Sequence, residues 1–167
     1  MAERTTIIDG EKISYKGLFD FKELYNVVDA YLWQKGFDKR VRKNEEQVST
    51  DGKYVNVIMQ PWKKITDYIK HEIKMVITVH HAKDEIREID GIKKKLTNGV
   101  VEITFYGYLV TDYEGRWEQR AEYFFLRTIF DTFIYKMQNQ SSAGTLKNDV
   151  KMLKGEIESF LNLHRFT

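Results

Sequence analysis

The sequence predicts an α+β fold: an antiparallel β-meander packed on a long helix, with a helix near the N-terminus and a heptad-patterned helix at the C-terminus. Three observations predict it. The run Ile69 to Val79 alternates, with Ile69, Ile73, Met75, Ile77 and Val79 on one side, Lys70, Glu72, Lys74 and Thr78 on the other, and only Val76 out of place. That period of two marks a half-buried strand. Val55-Val57-Met59 and Val101-Ile103-Phe105-Leu109 repeat the pattern, and an apolar helical run follows from Ala121 to Met137.

Element by element, Ile7-Ile8 and Ile13-Ser14-Tyr15 suit a short strand or a hairpin around Asp9-Gly10. Asp20 and Glu23 then have capping-box spacing, with Asp in place of Ser or Thr. Phe21, Leu24, Tyr25, Val28, Tyr31 and Leu32 follow at helical spacing before Gly36, which predicts a helix over 20–35. Residues 38–49, 53–60, 67–82, 85–96 and 100–111 read as strands, with tight turns at Asp51-Gly52 and Asn98-Gly99. The one proline, Pro61, is expected to end a strand or mark an edge.

A helix over 116–137 presents Trp117, Ala121, Phe124, Phe125, Thr128, Ile129 and Phe133 as an apolar stripe. The polar stretch 138–144 reads as a linker. Beyond it Leu146, Val150, Leu153, Ile157, Phe160 and His164 form the seam of an amphipathic helix. The expected organisation is therefore a single α+β domain over 1–137, a linker over 138–144 and a C-terminal helix over 145–167.

The totals bound the function classes. A chain of 167 residues buries roughly 70% of the surface it exposes when unfolded, and 42% hydrophobic residues suit a packed core. With 27 basic and 25 acidic groups the net charge is +2, too balanced to steer a polyanion globally. The absence of cysteine excludes disulfides, thiol nucleophiles and thiolate-bound metals. Met1-Ala2-Glu3-Arg4-Thr5 carries charge where a signal peptide needs an apolar stretch, and Arg127, Asp131 and Lys136 interrupt the apolar run. A cytoplasmic protein with no transmembrane segment is the expectation.

The order strand, helix, antiparallel meander, long helix resembles the helix-grip arrangement of START-like lipid-transfer and polyketide-cyclase proteins. The resemblance covers about residues 7–137 and rests on element order alone. It implies a curved sheet wrapping the long helix, and it transfers no site residue.

Candidate chemistry is sparse. His71 and His81 share a face but stand ten residues apart, roughly 33 Å along a strand, while His80 and His81 point to opposite faces. They read as strand-end residues rather than metal ligands. No nucleophile elbow, phosphate-binding glycine loop or dinucleotide fingerprint is present, so no catalytic residue, metal or cofactor is assigned.

Three binding features remain. Gly107, inside a strand, admits a close approach by the long helix or opens a pocket lined by Phe105, Leu109, Phe125 and Ile129. Tyr54, Trp62, Tyr106 and Tyr108 are expected on the sheet face opposite the core. With Lys39-Arg40-Val41-Arg42-Lys43, Lys63-Lys64 and Lys93-Lys94-Lys95, that aromatic face is a candidate for stacking bases and gripping phosphates. Cross-strand pairing and edge protection explain the same residues, which disfavours nucleic acid. The seam Leu146, Val150, Leu153, Ile157 and Phe160 docks on its own domain or joins a second copy or protein partner. The reading is a non-catalytic binding or assembly module. A carrier of a small apolar, lipid-like molecule is the alternative, and an RNA-binding sheet comes after it.

Overall fold

The two longest strands set the frame. The computed structural model describes residues 2–114 and 121–164, with side-chain surroundings given within the last helix for residues 140–162. The elements are β1 (Glu3–Phe19), α1 (Phe21–Gln34), β2 (Val41–Ser49), β3 (Gly52–Met59), β4 (Trp62–Lys64), β5 (Ile69–Ile89), β6 (Ile92–Thr111) and α2 (Ala121–His164). The strands form one six-stranded antiparallel sheet in the order β1-β6-β5-β3-β2, with β4 paired to β5 off that path.

Alternation sorts the side chains as a pleated sheet requires. Along β5, Ile69, His71, Ile73, Met75, Ile77 and Val79 are buried, while Lys70, Glu72, Lys74, Val76, Thr78 and His80 are half-buried on the opposite face. Val101, Ile103, Phe105 and Leu109 of β6 continue the buried inner face. Leu24, Val28, Tyr31 and Leu32 of α1 join that core, as do Leu146, Val150, Leu153, Ile157 and Leu161 of α2. Asp20 caps α1 by accepting the Glu23 N–H, and Gly36 follows with φ of +75°.

The structure departs from the sequence reading at three places. Around Asp9-Gly10 there is no hairpin; β1 runs through with register shifts between Thr6 and Ile8 and between Asp9 and Glu11. Residues 85–96 are not a separate strand. They are the end of β5 and the start of β6, joined at Asp90-Gly91, where both residues have positive φ (51° and 77°). That is the backbone of a primed two-residue turn. Asn98-Gly99 instead lies within β6, where a Cβ on Gly99 would stand 2.9 Å from the His80 carbonyl oxygen. The glycine admits a close approach at the irregularity between His80 and Lys83.

The third departure is the expected linker: residues 138–144 are helical within α2, and Ser142 is turned into the buried layer. The seam has two expected roles, docking on its own domain or joining a partner. Leu146, Val150, Leu153 and Ile157 are all 0% exposed within the chain's own core, and Phe160 packs against it half-buried. The seam offered for self-association is thus occupied intramolecularly, because an apolar stripe beside an apolar sheet gains most by docking there.

Candidate functional site

Of the residues expected to line a pocket around Gly107, those on β6 are buried. Phe105 and Leu109 are 0% and 2% exposed. A Cβ on Gly107 would lie 3.0 Å from Ile8 Cδ1 and 3.2 Å from Ile8 Cβ. The glycine therefore makes room for β1, whose register shift drives Ile8 inward between Gly107 and its neighbours. Phe125 and Ile129 belong to the part of α2 whose side chains lie outside the described residues.

Next to this core sits a polar cluster that the sequence reading missed. His71, expected at a strand end, is 0% exposed on the inner face. Its Nε2 lies 2.6 Å from Ser142 Oγ of α2, while Nδ1 has no hydrogen-bond partner among the described residues. Lys63 Nζ pairs with the Asp149 carboxylate at 3.1 Å, and the Tyr31 hydroxyl donates to the Asp149 carbonyl at 2.8 Å. Burial, reinforced by the Lys63 charge and only partly offset by Asp149 and Ser142, pushes His71 down to about 4. Burial and the charges of Asp149 and Glu156 push Tyr31 up to about 12.

Serine, histidine and aspartate meet here without forming a catalytic triad. That arrangement needs a carboxylate on the histidine nitrogen opposite the serine, and Asp149 is engaged by Lys63 instead. Ser142 and Asp149 are also buried, at 7% and 4% exposure, leaving no approach for a substrate. The cluster fastens α2 and α1 to the sheet. One signal for it was available, since His71 falls in phase with Ile69 and Ile73. Among the described residues no group of three or more His, Asp or Glu side chains is placed to hold a metal.

The outer face carries the remaining chemistry. Trp62, Glu72 and Tyr108 stand in register across β4, β5 and β6, and Lys74 pairs with Tyr106 in the next outward row. Tyr54 lies apart, packed on His80 with ring centroids 5.3 Å apart. His80 is eight positions beyond Glu72, roughly 26 Å along β5. The four aromatics therefore do not form one platform: Trp62, Tyr106 and Tyr108 cluster and Tyr54 does not. Nor are the clustered rings bare. The Arg4 guanidinium lies 3.6 Å from the Tyr108 centroid, Lys74 Nζ 5.6 Å from Tyr106 and Lys70 Nζ 5.5 Å from Trp62.

Beside this cluster Arg40, Arg42, Gln60, Trp62, Lys70, Glu72 and Tyr113 line an open cleft of about 260 Å³. Local structure assembles it. The Asp38–Trp62 bridge and the Gln60 N–H donated to the Arg40 carbonyl hold the 38–42 segment against β4. Arg42 falls in the register shift between Val41 and Lys43. Lys70 stands between two rings, 5.5 Å from Trp62 and 5.7 Å from Tyr113. The cleft's one carboxylate among the described residues, Glu72, is already engaged: Arg4 and Gln60 donate to it and Lys70 lies 3.8 Å away. Arg40 and Arg42 are exposed and make no ion pair with a described residue. Three cations thus face one satisfied anion.

A larger open groove of about 450 Å³ lies at the end of α1 beside Trp33, which is 84% exposed. Its cation, Lys39, is held by Asp29 at 2.8 Å, so the groove carries no comparable charge imbalance. Among the described residues no helix is long and apolar enough to cross a membrane. Neither a protein-family model nor a curated protein sequence matches the chain.

Proposed function

We propose that this protein is a non-catalytic binding module that holds an anionic partner on the outer face of its sheet, at the cleft of Arg40, Arg42, Lys70, Trp62 and Tyr113. The observation that carries the reading is the charge imbalance there. Two arginines stand exposed with no counter-ion among the described residues, beside a carboxylate that other donors already satisfy. Guanidinium groups bind carboxylate or phosphate oxygens through paired, directional hydrogen bonds, so a rigidly backed arginine pair suits an anion. The inner face gives the competing carrier reading less support, because Ile8 fills the space beside Gly107. The placement of β1 beside the last strand, with a long final helix, supports assigning the fold to the START-like helix-grip arrangement.

Retention on a heparin column tests the reading. Arg40→Glu/Arg42→Glu is expected to elute at clearly lower salt than the parent. Lys93→Glu/Lys94→Glu removes the same charge at the β5–β6 hairpin, far from the cleft, and is expected to elute close to the parent. Equal shifts for both variants would mean that net charge alone governs retention, and the cleft would lose its role.

A further inference from the structure

We infer that the anionic partner is single-stranded nucleic acid, with one base seated against Trp62 in the outer-face cleft and the flanking phosphates on Arg40 and Arg42. The inference rests on the binding-module reading and adds the chemical class of the partner. Charge alone would suit any polyanion. Two rings inside the cationic cleft are what an acidic peptide would leave unused, whereas base–aromatic stacking is a large share of single-strand affinity.

Lys70 shows how the seat opens. Its ammonium stands near the rings of both Trp62 and Tyr113 and only 3.8 Å from Glu72, a loose contact made by a flexible four-carbon stem. A planar base on Trp62 replaces that cation at the ring, and the ammonium is then free to swing onto a phosphate. Glu72 stays neutralised by Arg4 and hydrogen-bonded by Gln60, so its repulsion of the incoming backbone is small.

The dimensions favour a single strand. A cleft of about 260 Å³ takes one unstacked base with its sugar and excludes a duplex, whose bases are turned inward. The basic path also continues beyond one nucleotide. Lys74 lies on the same face four residues along β5, roughly 13 Å from Lys70. Lys12 and Lys16 of β1 reach the outer face through their register with Thr104 and Val100.

The test uses the full chain and fluorescence anisotropy with a short labelled oligouridylate, an RNA duplex of equal length and a labelled polyglutamate, each titrated across a salt series. The single strand is expected to bind best. Trp62→Ala should weaken it at least about fivefold, while Trp62→Phe, which keeps a ring, should restore most of the affinity. Arg40→Gln/Arg42→Gln should lower the salt slope by about 1.4, from two lost phosphate contacts. Both arginines are exposed, so these variants keep the fold, and circular dichroism confirms it for the Trp62 pair.

Equal binding of the duplex, or Trp62→Ala binding RNA as the parent does, overturns the single-strand proposal. Polyglutamate bound as tightly as RNA, with the same sensitivity to the arginine variants, overturns the nucleic-acid assignment and leaves the cleft as an anion site. Insensitivity of every polyanion to the arginine variants removes the binding surface itself.

Discussion

Nε2 of His71 and Oγ of Ser142 lie 2.6 Å apart in a fully buried contact that joins β5 to α2 across 71 residues of sequence. The contact turns a helix that is polar at this point toward an apolar sheet, and it makes the docking of α2 depend on the charge state of one imidazole.

The pH dependence follows in sign. An unfolded histidine titrates near 6.5, and burial and Lys63 bring the folded group down to about 4. The stability linked to neutral His71 is therefore fully present above pH 6.5. It is lost progressively as the pH falls toward 4, where the unfolded chain is already protonated. The loss amounts to about 3 kcal/mol. Denaturant unfolding at pH 7 and at pH 4.5 checks it, and His71→Gln should flatten the difference even though it lowers stability at pH 7. A parent protein equally stable at both values would contradict the burial-driven shift.

Gly107 and Ile8 form a testable steric pair. Gly107→Ala places a methyl 3.0 Å from Ile8 Cδ1, so the expected result is a loss of about 1–3 kcal/mol from overpacking. Ile8→Val removes that terminal methyl, and the double variant Ile8→Val/Gly107→Ala should lose less than the sum of the two single variants. Additive losses in thermal unfolding would show that the crowding is not local.

The seam distinguishes docking from assembly. Leu153 is 0% exposed and Met152, its neighbour, is 45% exposed. Leu153→Ala should cost about 2–5 kcal/mol through cavity formation, whereas Met152→Lys should change stability by less than about 0.5 kcal/mol. If α2 used this stripe to join a second copy, Leu153→Ala would halve the mass in light scattering before it lowered the melting temperature. The intramolecular packing predicts the reverse order.

The hairpin turn supplies a fourth prediction. Gly91 has φ of +77° with nothing within 4 Å of a built Cβ, so Gly91→Ala should cost only the left-handed backbone penalty of about 1–2 kcal/mol. At Gly99 a Cβ meets backbone at 2.9 Å, so Gly99→Ala should be the more damaging of the two in urea titrations.

The sheet's inner face was legible because period-two alternation is a property of single strands, and Ile69 to Val79 displays it without help from its neighbours. The hairpin boundary was not. Asp90-Gly91 and Asn98-Gly99 are both favourable turn dipeptides, and only the cross-strand register, closing at Ile89 and Ile92, chooses between them. The 138–144 stretch misled for the opposite reason. Its polar, glycine-ended composition favours a loop locally, yet the helix persists through it and a buried hydrogen bond between Ser142 and His71 helps hold it. The cleft was half visible: Arg40 and Arg42 stood out in a basic run and Trp62 among the outward aromatics. Lys70 and Glu72 join them only through the β4–β5 pairing and Tyr113 only through the β5–β6 pairing at Ile69 and Thr111, neither of which a local pattern announces.

The placement of β1 beside β6 carries a kinetic consequence. Glu3 pairs with Thr111, and the ladder between these strands runs inward only as far as Phe19 and Thr97. Every rung therefore closes a loop of many tens of residues, while the β2–β3 and β5–β6 hairpins close through two-residue turns. Local hairpins reward the chain early, and this distant seam repays its closure entropy last. During synthesis β1 leaves the ribosome before the other strands of its sheet and waits for its partner, with Ile8 and Ile13 unsheltered until β6 emerges. The first strand made is the last one zipped.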